Sequence, residues 1–256
     1  MSYTAALLVV LLIAIGVGAA TIAARHALDV DIRKQHHEVG NPVYLQIGVV
    51  FAVLLAFVFS EVWSEYNVAA QAINGECGAL HGAAILAHDL PDQQGQGIER
   101  AIVNYTQTVI SKEWPALAHR DASPDAINAF ETVVAAAAHV NITRPSDAAA
   151  QSQMLALLAQ AHAFRETRSF QASRGLPIVI WLVLSLYALI LVVFVLFAGV
   201  DSVAGHLLFT VSFAVSVALV LILVRMLDYP FEGALALSNS DFVRTLEHVT
   251  ALVGAS

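Results

Sequence analysis

Four long apolar runs without a single charged residue constrain this chain more than any other feature. They cover residues 4–24, 43–60, 176–200 and 202–224, and the shortest contains 18 residues. At a rise of 1.5 Å per residue, even that run is about 27 Å long as a helix, close to the thickness of the bilayer's hydrocarbon core. A backbone that crosses lipid must satisfy its own hydrogen bonds, so each run is predicted to be a transmembrane helix.

The composition supports a membrane protein and argues against several soluble classes. Of the 256 residues, 58% are hydrophobic and only 12% are charged, whereas soluble domains average about 25% charged residues. The formal net charge is −8, which argues against nucleic acid as a partner, because a nucleic-acid binder needs a basic patch. A single cysteine, Cys77, excludes an intramolecular disulfide framework within this chain.

The region between the second and third spans, residues 61–175, has the spacing of helices throughout. An apolar stripe with spacings of 3 and 4 continues the second span, and it predicts one rod over residues 43–90 that ends before Pro91. Three shorter helices follow. The first is expected to end at Trp114-Pro115, the second to begin at Ser123 as N-cap, and the third to begin at Ser146.

These patterns divide the chain into four parts. Residues 1–60 hold spans one and two, 61–175 form a helical extramembrane region, 176–228 hold spans three and four, and 229–256 are a C-terminal tail. Gly175 and Pro177 predict a break before the third span. The extramembrane helices are rich in alanine, which buries little apolar area per residue, so we expect them to pack in a homo-oligomer. The fold class is all-α integral membrane, with the side of the membrane left open by a nearly balanced distribution of Arg and Lys.

The polar residues of the second span lie on one narrow face. At about 100° per residue, seven residues fall within about 60° of one direction: Gln46, Val50, Val53, Phe57, Ser60, Glu61 and Ser64. We call this set the α2 stripe. A ring of such helices would line a pore with an apolar constriction and a carboxylate mouth. Alternatively, the same face packs against another helix of its own subunit.

The sequence offers little that resembles a catalytic or metal site. It has no nucleotide-binding loop, no nucleophile elbow and no zinc-protease motif, so we expect neither an enzyme nor a cofactor. Histidines at 36 and 37, and at 81 and 88, are interpreted as solvated side chains rather than metal ligands. Arg225 and Asp228, three residues apart, can pair at the end of the fourth span.

A set of short motifs resembles the bacterial bestrophin-like membrane proteins, a family long described as a domain of unknown function. The resemblance covers about residues 43–245. No single motif is specific to the family, but the order and spacing of all the motifs together are specific to it. The motif residues are Ala69, Ala70, Glu76, Leu90, Pro91, Tyr105, Lys112, Glu113, Trp114, Pro115, Arg165, Arg168, Leu176, Pro177, Trp181, the run 228–233 and Phe242. Within this set, Glu113, Trp114, Arg168, Asp228, Pro230 and Phe231 are motif residues without an assigned role.

The resemblance to true bestrophins is more distant, and it implies pentameric anion channels in which the second helix lines the pore. In those proteins an acidic run after a Pro-Phe-Gly stretch helps to bind calcium. Here Pro230-Phe231-Glu232-Gly233 is followed by an apolar run, which leaves only Glu232 and Asp241 as nearby oxygen ligands. Calcium takes 6–8 oxygens, so a calcium site is not supported by these residues.

Two functions remain open at this point. The first is a homo-oligomeric ion channel of the inner membrane, whose partners are lipid, inorganic ions and copies of itself, with Glu61 and the acidic composition favouring cations. The second is a non-conducting scaffold or sensor that binds a protein partner through residues 61–175.

Overall fold

A computed structural model describes residues 1–27, 30–90 and 93–255 of the chain; the side chains of residues 30–32, 34–39, 93 and 255 are not described. Within these ranges every regular element is helical. The helices are α1 Tyr3–Ala27, α2 Val30–His88, α3 Gln93–Thr108, α4 Trp114–Ala118, α5 Pro124–Ala138, α6 Pro145–Ser173, α7 Ile178–Leu196, α8 Val203–Leu227 and α9 Ser240–Ala255, with a π-helical turn over Val109–Glu113. The all-α membrane fold class is therefore confirmed.

The four predicted spans correspond to four helices that are long and apolar enough to cross a membrane. These are α1, the part of α2 that begins at Gly40, α7 and α8. The helical break predicted at Gly175 and Pro177 is present, since α6 ends at Ser173 and α7 begins at Ile178. The start of the rod was wrong, because α2 begins at Val30 and continues through Pro42. Loss of charge marks where an apolar span begins, and the helix itself extends into the polar sequence before it.

The chain divides into two compact units, with the boundary inside α2. Unit 1 contains residues 1–64 and 175–228, and unit 2 contains residues 65–174 and 229–256. In unit 1, α8 packs against α1 and α7. Tyr44 and Phe51 of α2 contact aromatic rings of α7, with Phe51 and Tyr187 stacked at 6.4 Å between ring centroids.

Unit 2 is a helical bundle with its own apolar core. Helix α3 packs against α5 and α9, while α6 packs against α4 and α5. The core is built from α2, α3, α5, α6 and α9 residues that are almost fully buried, among them Leu80, Ile102, Val133, Leu158 and Phe242. At Gly95 the start of α3 lies so close to α2 that an added Cβ would sit 2.2 Å from the carbonyl oxygen of Ala87. Residues 229–256 were predicted to be a tail, but most of this segment is helical, since α9 spans Ser240–Ala255.

Two helix starts test the predicted capping residues. Ser123 is the N-cap of α5, and its hydroxyl accepts a hydrogen bond from the backbone N–H of Ala126, as predicted. The prediction of Ser146 for α6 was wrong, because Arg144 is the N-cap and Pro145 follows it. Asp147 accepts hydrogen bonds from the backbone and the Nε of Arg144, each at 2.9 Å, and this contact with Arg144 lowers the pKa of the carboxyl.

The predicted helix end at Trp114-Pro115 was also wrong. The π-helical turn over Val109–Glu113 leads directly into α4, which carries Pro115 in its first turn. Proline is tolerated there because the first N–H groups of a helix have no partner within it. The turn also directs Glu113 and Trp114 toward the centre of unit 2.

Candidate functional site: an exposed stripe and a buried charge cluster

The α2 stripe lies on the side of α2 that the rest of the chain leaves open. All seven members are exposed in the single chain, and Phe57 keeps 72% of its surface accessible. The opposite side of the helix is covered, since Phe51, Val58 and Val62 are at most 6% exposed. At about 100° per residue, those three residues point roughly 100–160° away from Gln46 and Phe57.

Polar and apolar residues alternate in blocks along the stripe. Gln46 lies at one end, Val50, Val53 and Phe57 form the middle, and Ser60, Glu61 and Ser64 lie at the other end. Facing lipid, the glutamine and the carboxylate would be costly, because polar groups at membrane depth normally face a bundle interior or a water-filled cavity. The arrangement is therefore suited to a surface that another copy of the chain covers or that water reaches.

A second polar centre lies inside unit 2 and brings the family motif residues together. Arg168 of α6 is fully buried, and its Nε donates to Glu76 Oε2 at 2.9 Å while its Nη2 donates to Glu113 Oε2 at 2.8 Å. Arg165, one turn earlier, donates to Glu113 Oε1 at 2.5 Å. The Tyr105 hydroxyl donates to Glu76. We call these five residues, Glu76, Tyr105, Glu113, Arg165 and Arg168, the buried charge cluster.

The cluster pairs two carboxylates, Glu76 and Glu113, with two guanidinium groups, Arg165 and Arg168. Burial alone would lower the pKa of Arg168, but the carboxylates of Glu76 and Glu113 raise it above its ordinary value. Burial raises the pKa of Tyr105 well above its usual range, and the charge of Glu76 acts in the same direction. The cluster therefore keeps Arg168 charged and Tyr105 neutral inside the bundle, and it joins α2, α3, α6 and the π-helical turn.

The segment after α8 packs onto the same region through aromatic contacts. Trp114 meets Phe231 and Phe242 edge to face, with ring centroids 5.4 and 5.7 Å apart. The Arg168 guanidinium lies 5.2 Å from the Phe242 ring centre. Of the motif residues without an assigned role, Glu113, Trp114, Arg168 and Phe231 thus belong to one packed centre in unit 2. Pro230 is buried next to Phe231, and its carbonyl accepts from the N–H of Leu237 at 2.7 Å.

Asp228 has a separate role within unit 1. It is 2% exposed at the end of α8, and its Oδ1 accepts the backbone N–H of Leu176 at 2.7 Å. A carboxylate beside the first turn of α7 is favoured by the helix dipole. Asp228 thus ties the break between α6 and α7 to the end of α8.

The two carboxylates considered for calcium are both paired with arginine. Glu232 receives a hydrogen bond from Arg120 at 2.6 Å, and Asp241 receives one from Arg244. Among the residues with a described placement, no group of three or more His, Cys, Asp or Glu side chains is arranged to hold a metal ion. The histidine side chains at 36 and 37 lie outside the described residues.

The sequence alone gave no role to Glu76 and Arg165, although both are among the motif residues. A signal was present for the arginines: the buried positions of α6 run Met154, Leu158, Ala161, Arg165 and Arg168, which continues the helical spacing. Glu76 likewise lies on α2 between Ile73 and Leu80, two buried residues of the unit 2 core. A charged residue that keeps the register of an apolar stripe indicates a buried ion pair.

The chain matches the model of a known protein family. The model of the bestrophin-like domain matches residues 10–242. The chain belongs to the bestrophin-like family. It is therefore a membrane protein of a channel family, and the resemblance seen in the motifs is confirmed.

Solved structures show the same fold. A crystal structure of a bacterial bestrophin homologue from Klebsiella pneumoniae, carrying one substitution, has a TM-score of 0.77 and 14% identity, over 96% of this chain and 99% of that chain. Another structure of the Klebsiella pneumoniae homologue has a TM-score of 0.75 and 14% identity, over 95% and 98% of the two chains. No curated protein matches the chain. At this identity the structures establish the fold alone.

Proposed function

We propose that the chain is one subunit of a homo-oligomeric ion channel that crosses the inner membrane several times and whose pore is lined by the α2 stripe. The observation that carries this proposal is the position of the stripe, on the side of α2 opposite the face that packs within the subunit. A helix that hides its apolar face inside the subunit and leaves a glutamine and a glutamate open needs water or a second copy at that surface. Family membership supports the same kind of function.

The stripe has the parts of a gated pore. Phe57, with Val50 and Val53, would form a hydrophobic constriction, and constrictions of this kind gate by dewetting. Gln46 would lie at one mouth, and Ser60 and Glu61 at the other. One α2 cannot enclose a pore, so several copies must surround an axis, five of them if the bestrophin analogy holds.

One flank of α2 supports close approach of neighbouring copies. Ala52 and Ala56, one turn apart, are both exposed, and at about 100° per residue they lie roughly 80–120° from Gln46, beside the stripe rather than on it. Small residues at this spacing let membrane helices pack closely. Adjacent subunits around a ring would meet on such flanks.

We propose that the pore prefers cations, because Glu61 places a ring of carboxylates at one mouth once subunits assemble. The family's resemblance to anion channels predicts the opposite preference. The reversal potential across liposomes with a KCl gradient distinguishes the two, since its sign reports whether K⁺ or Cl⁻ carries the current.

The proposal is tested by ion flux from liposomes that contain the purified protein. Phe57→Ala should raise the flux, because it widens the constriction, and Glu61→Gln should lower the preference for K⁺ over Cl⁻. Phe209→Ala and Glu131→Gln are matched controls, since Phe209 of α8 and Glu131 of α5 are exposed but off the stripe. Flux no greater than that of empty liposomes for K⁺, Na⁺ and Cl⁻ overturns the channel proposal.

A non-conducting scaffold remains the second candidate because unit 2 carries an apolar pocket between α5 and α6. Phe130, Val134, Leu155 and Leu158 are among the residues that line it, and its volume is about 480 Å³. A scaffold predicts a stable oligomer without flux, and loss of a protein partner when the outward face of residues 124–174 is changed. Val134→Asp, assayed for both flux and partner binding, separates it from the channel.

A further inference from the structure

A pocket of about 170 Å³ lies between α2 and α9, within unit 2. Asn74, Cys77, Gly78 and His81 line it from α2, and Asp241, Arg244, Thr245 and His248 line it from α9. His81 is half-buried and His248 is exposed, so both imidazoles can be reached from solution. Neither the pore proposal nor the cluster uses these residues.

The two imidazole rings have the spacing that a shared metal ion requires. Their centroids are 5.2 Å apart, and their planes are inclined by 41°. Imidazole nitrogens bind Zn²⁺ at about 2.0–2.1 Å, and two of them on one tetrahedral ion place their ring centroids about 5 Å apart. The observed separation is therefore compatible with both rings binding a single ion.

The remaining groups of the pocket define the kind of ion. The Cys77 thiol is buried, and Asp241 receives a hydrogen bond from Arg244, so neither is presented as a free anionic ligand. Two imidazoles without a carboxylate suit late first-row divalent cations, whereas calcium and magnesium require oxygen ligands. Two protein ligands also leave room for water at the other positions, unlike a closed structural zinc site.

We propose that His81 and His248 form an open two-histidine site for a late divalent transition-metal ion such as Cu²⁺, Ni²⁺ or Zn²⁺. One ligand comes from α2 and the other from α9, so a bound ion cross-links the C-terminal helix to the helix that carries the stripe. Of the three ions, Cu²⁺ should bind most tightly, following the general order of affinities for nitrogen ligands.

The experiment is a titration of the full-length protein, without a histidine tag and after treatment with a chelator, by isothermal calorimetry with NiCl₂ and with CuCl₂. The wild type should bind one ion per chain in the micromolar range. His81→Asn and His248→Asn should each weaken binding at least tenfold. His139→Asn is the matched control, because His139 is exposed directly after the end of α5 and does not line the pocket; it should leave the affinity unchanged.

A spectroscopic readout makes the result independent of any effect on folding. Electron paramagnetic resonance of bound Cu²⁺ should show hyperfine coupling to two imidazole nitrogens in the wild type and to one in either variant. The inference is overturned if binding is not saturable below about 1 mM, or if both variants bind as tightly as the wild type. Thermal unfolding without metal should be the same for all four proteins.

Discussion

Two glutamates of α2, fifteen residues apart, occupy opposite environments. Glu61 belongs to the stripe in unit 1 and is exposed, whereas Glu76 lies in unit 2 with no accessible surface. Glu76 accepts from both Arg168 and Tyr105. One helix therefore uses its carboxylates in two ways. Glu76 contributes to packing within the chain, whereas Glu61 is exposed on the chain's surface.

The largest effect is expected from removing the arginine at the centre of the buried charge cluster. Arg168→Ala leaves Glu76 and Glu113 without their shared partner, and breaking a buried ion pair in this way costs about 3–5 kcal/mol of unfolding free energy. Thermal unfolding in detergent, followed by the reaction of buried Cys77 with a thiol dye, measures the loss. Arg100→Ala is the control, since Arg100 is exposed and its side chain donates to Gln96. Equal losses in the two variants would contradict a structural role for the cluster.

The second prediction compares the two glutamates directly. Glu76→Gln should lower the unfolding free energy by about 2–3 kcal/mol, because the amide can still accept a hydrogen bond but no longer balances Arg168. Glu61→Gln should change it by less than about 0.5 kcal/mol, as is usual at exposed positions. In liposomes the ranking of the two variants should be reversed, since Glu61→Gln should change the ion preference more than Glu76→Gln does. A Glu61→Gln protein that is clearly destabilised would mean that Glu61 contributes to the folded structure of the chain itself.

Asp228 offers a third environment, a buried carboxylate whose observed partner is a backbone N–H. Asp228→Ala leaves the N–H of Leu176 without its acceptor, which should cost about 1–3 kcal/mol. Asp125→Ala is a matched control, because the Lys112–Asp125 pair is more than half exposed at both ends and should contribute less than about 1 kcal/mol. If the unfolding midpoint fell equally in the two variants, burial would not determine how much each carboxylate contributes to stability.

The sequence predicted the spans and the family because both depend on local information. An uncharged run of 18 residues or more has few alternatives to a membrane helix, and the order of short motifs survives in a distant relative. The structure then confirmed the four long helices and the break at Gly175. The assignment of the stripe to a pore stays a prediction, because enclosure depends on contacts between subunits that no single chain contains.

The interior of unit 2 was harder to predict for a physical reason. Periodicity arguments count apolar residues, so they gave Arg165 and Arg168 no place in the core, although both arginines keep the register of the buried face. Trp114-Pro115 was read as a helix end, because a π-helical turn that lets a helix continue into proline has no simple sequence signature. The carboxyl-terminal helix was missed too, although Phe242, Thr245 and Val249 recur at helical spacing and are buried.

The smallest effect we predict concerns the tyrosine of the cluster and appears only at alkaline pH. Burial raises the pKa of Tyr105 in the folded protein, so its contribution to stability is fully present below the unfolded pKa of about 10 and is lost as the pH rises toward the folded value. Above pH 10 one such group makes stability fall by up to about 1.4 kcal/mol per pH unit. Tyr105→Phe should remove that share of the slope, while Tyr3→Phe should not, because Tyr3 is 64% exposed. Unfolding curves at pH 9, 10 and 11 measure how steeply the unfolding free energy falls with pH in each variant. Identical slopes in the two variants would mean that the Tyr105 hydroxyl ionises as readily in the folded protein as in the unfolded chain. The cluster would then be open to water.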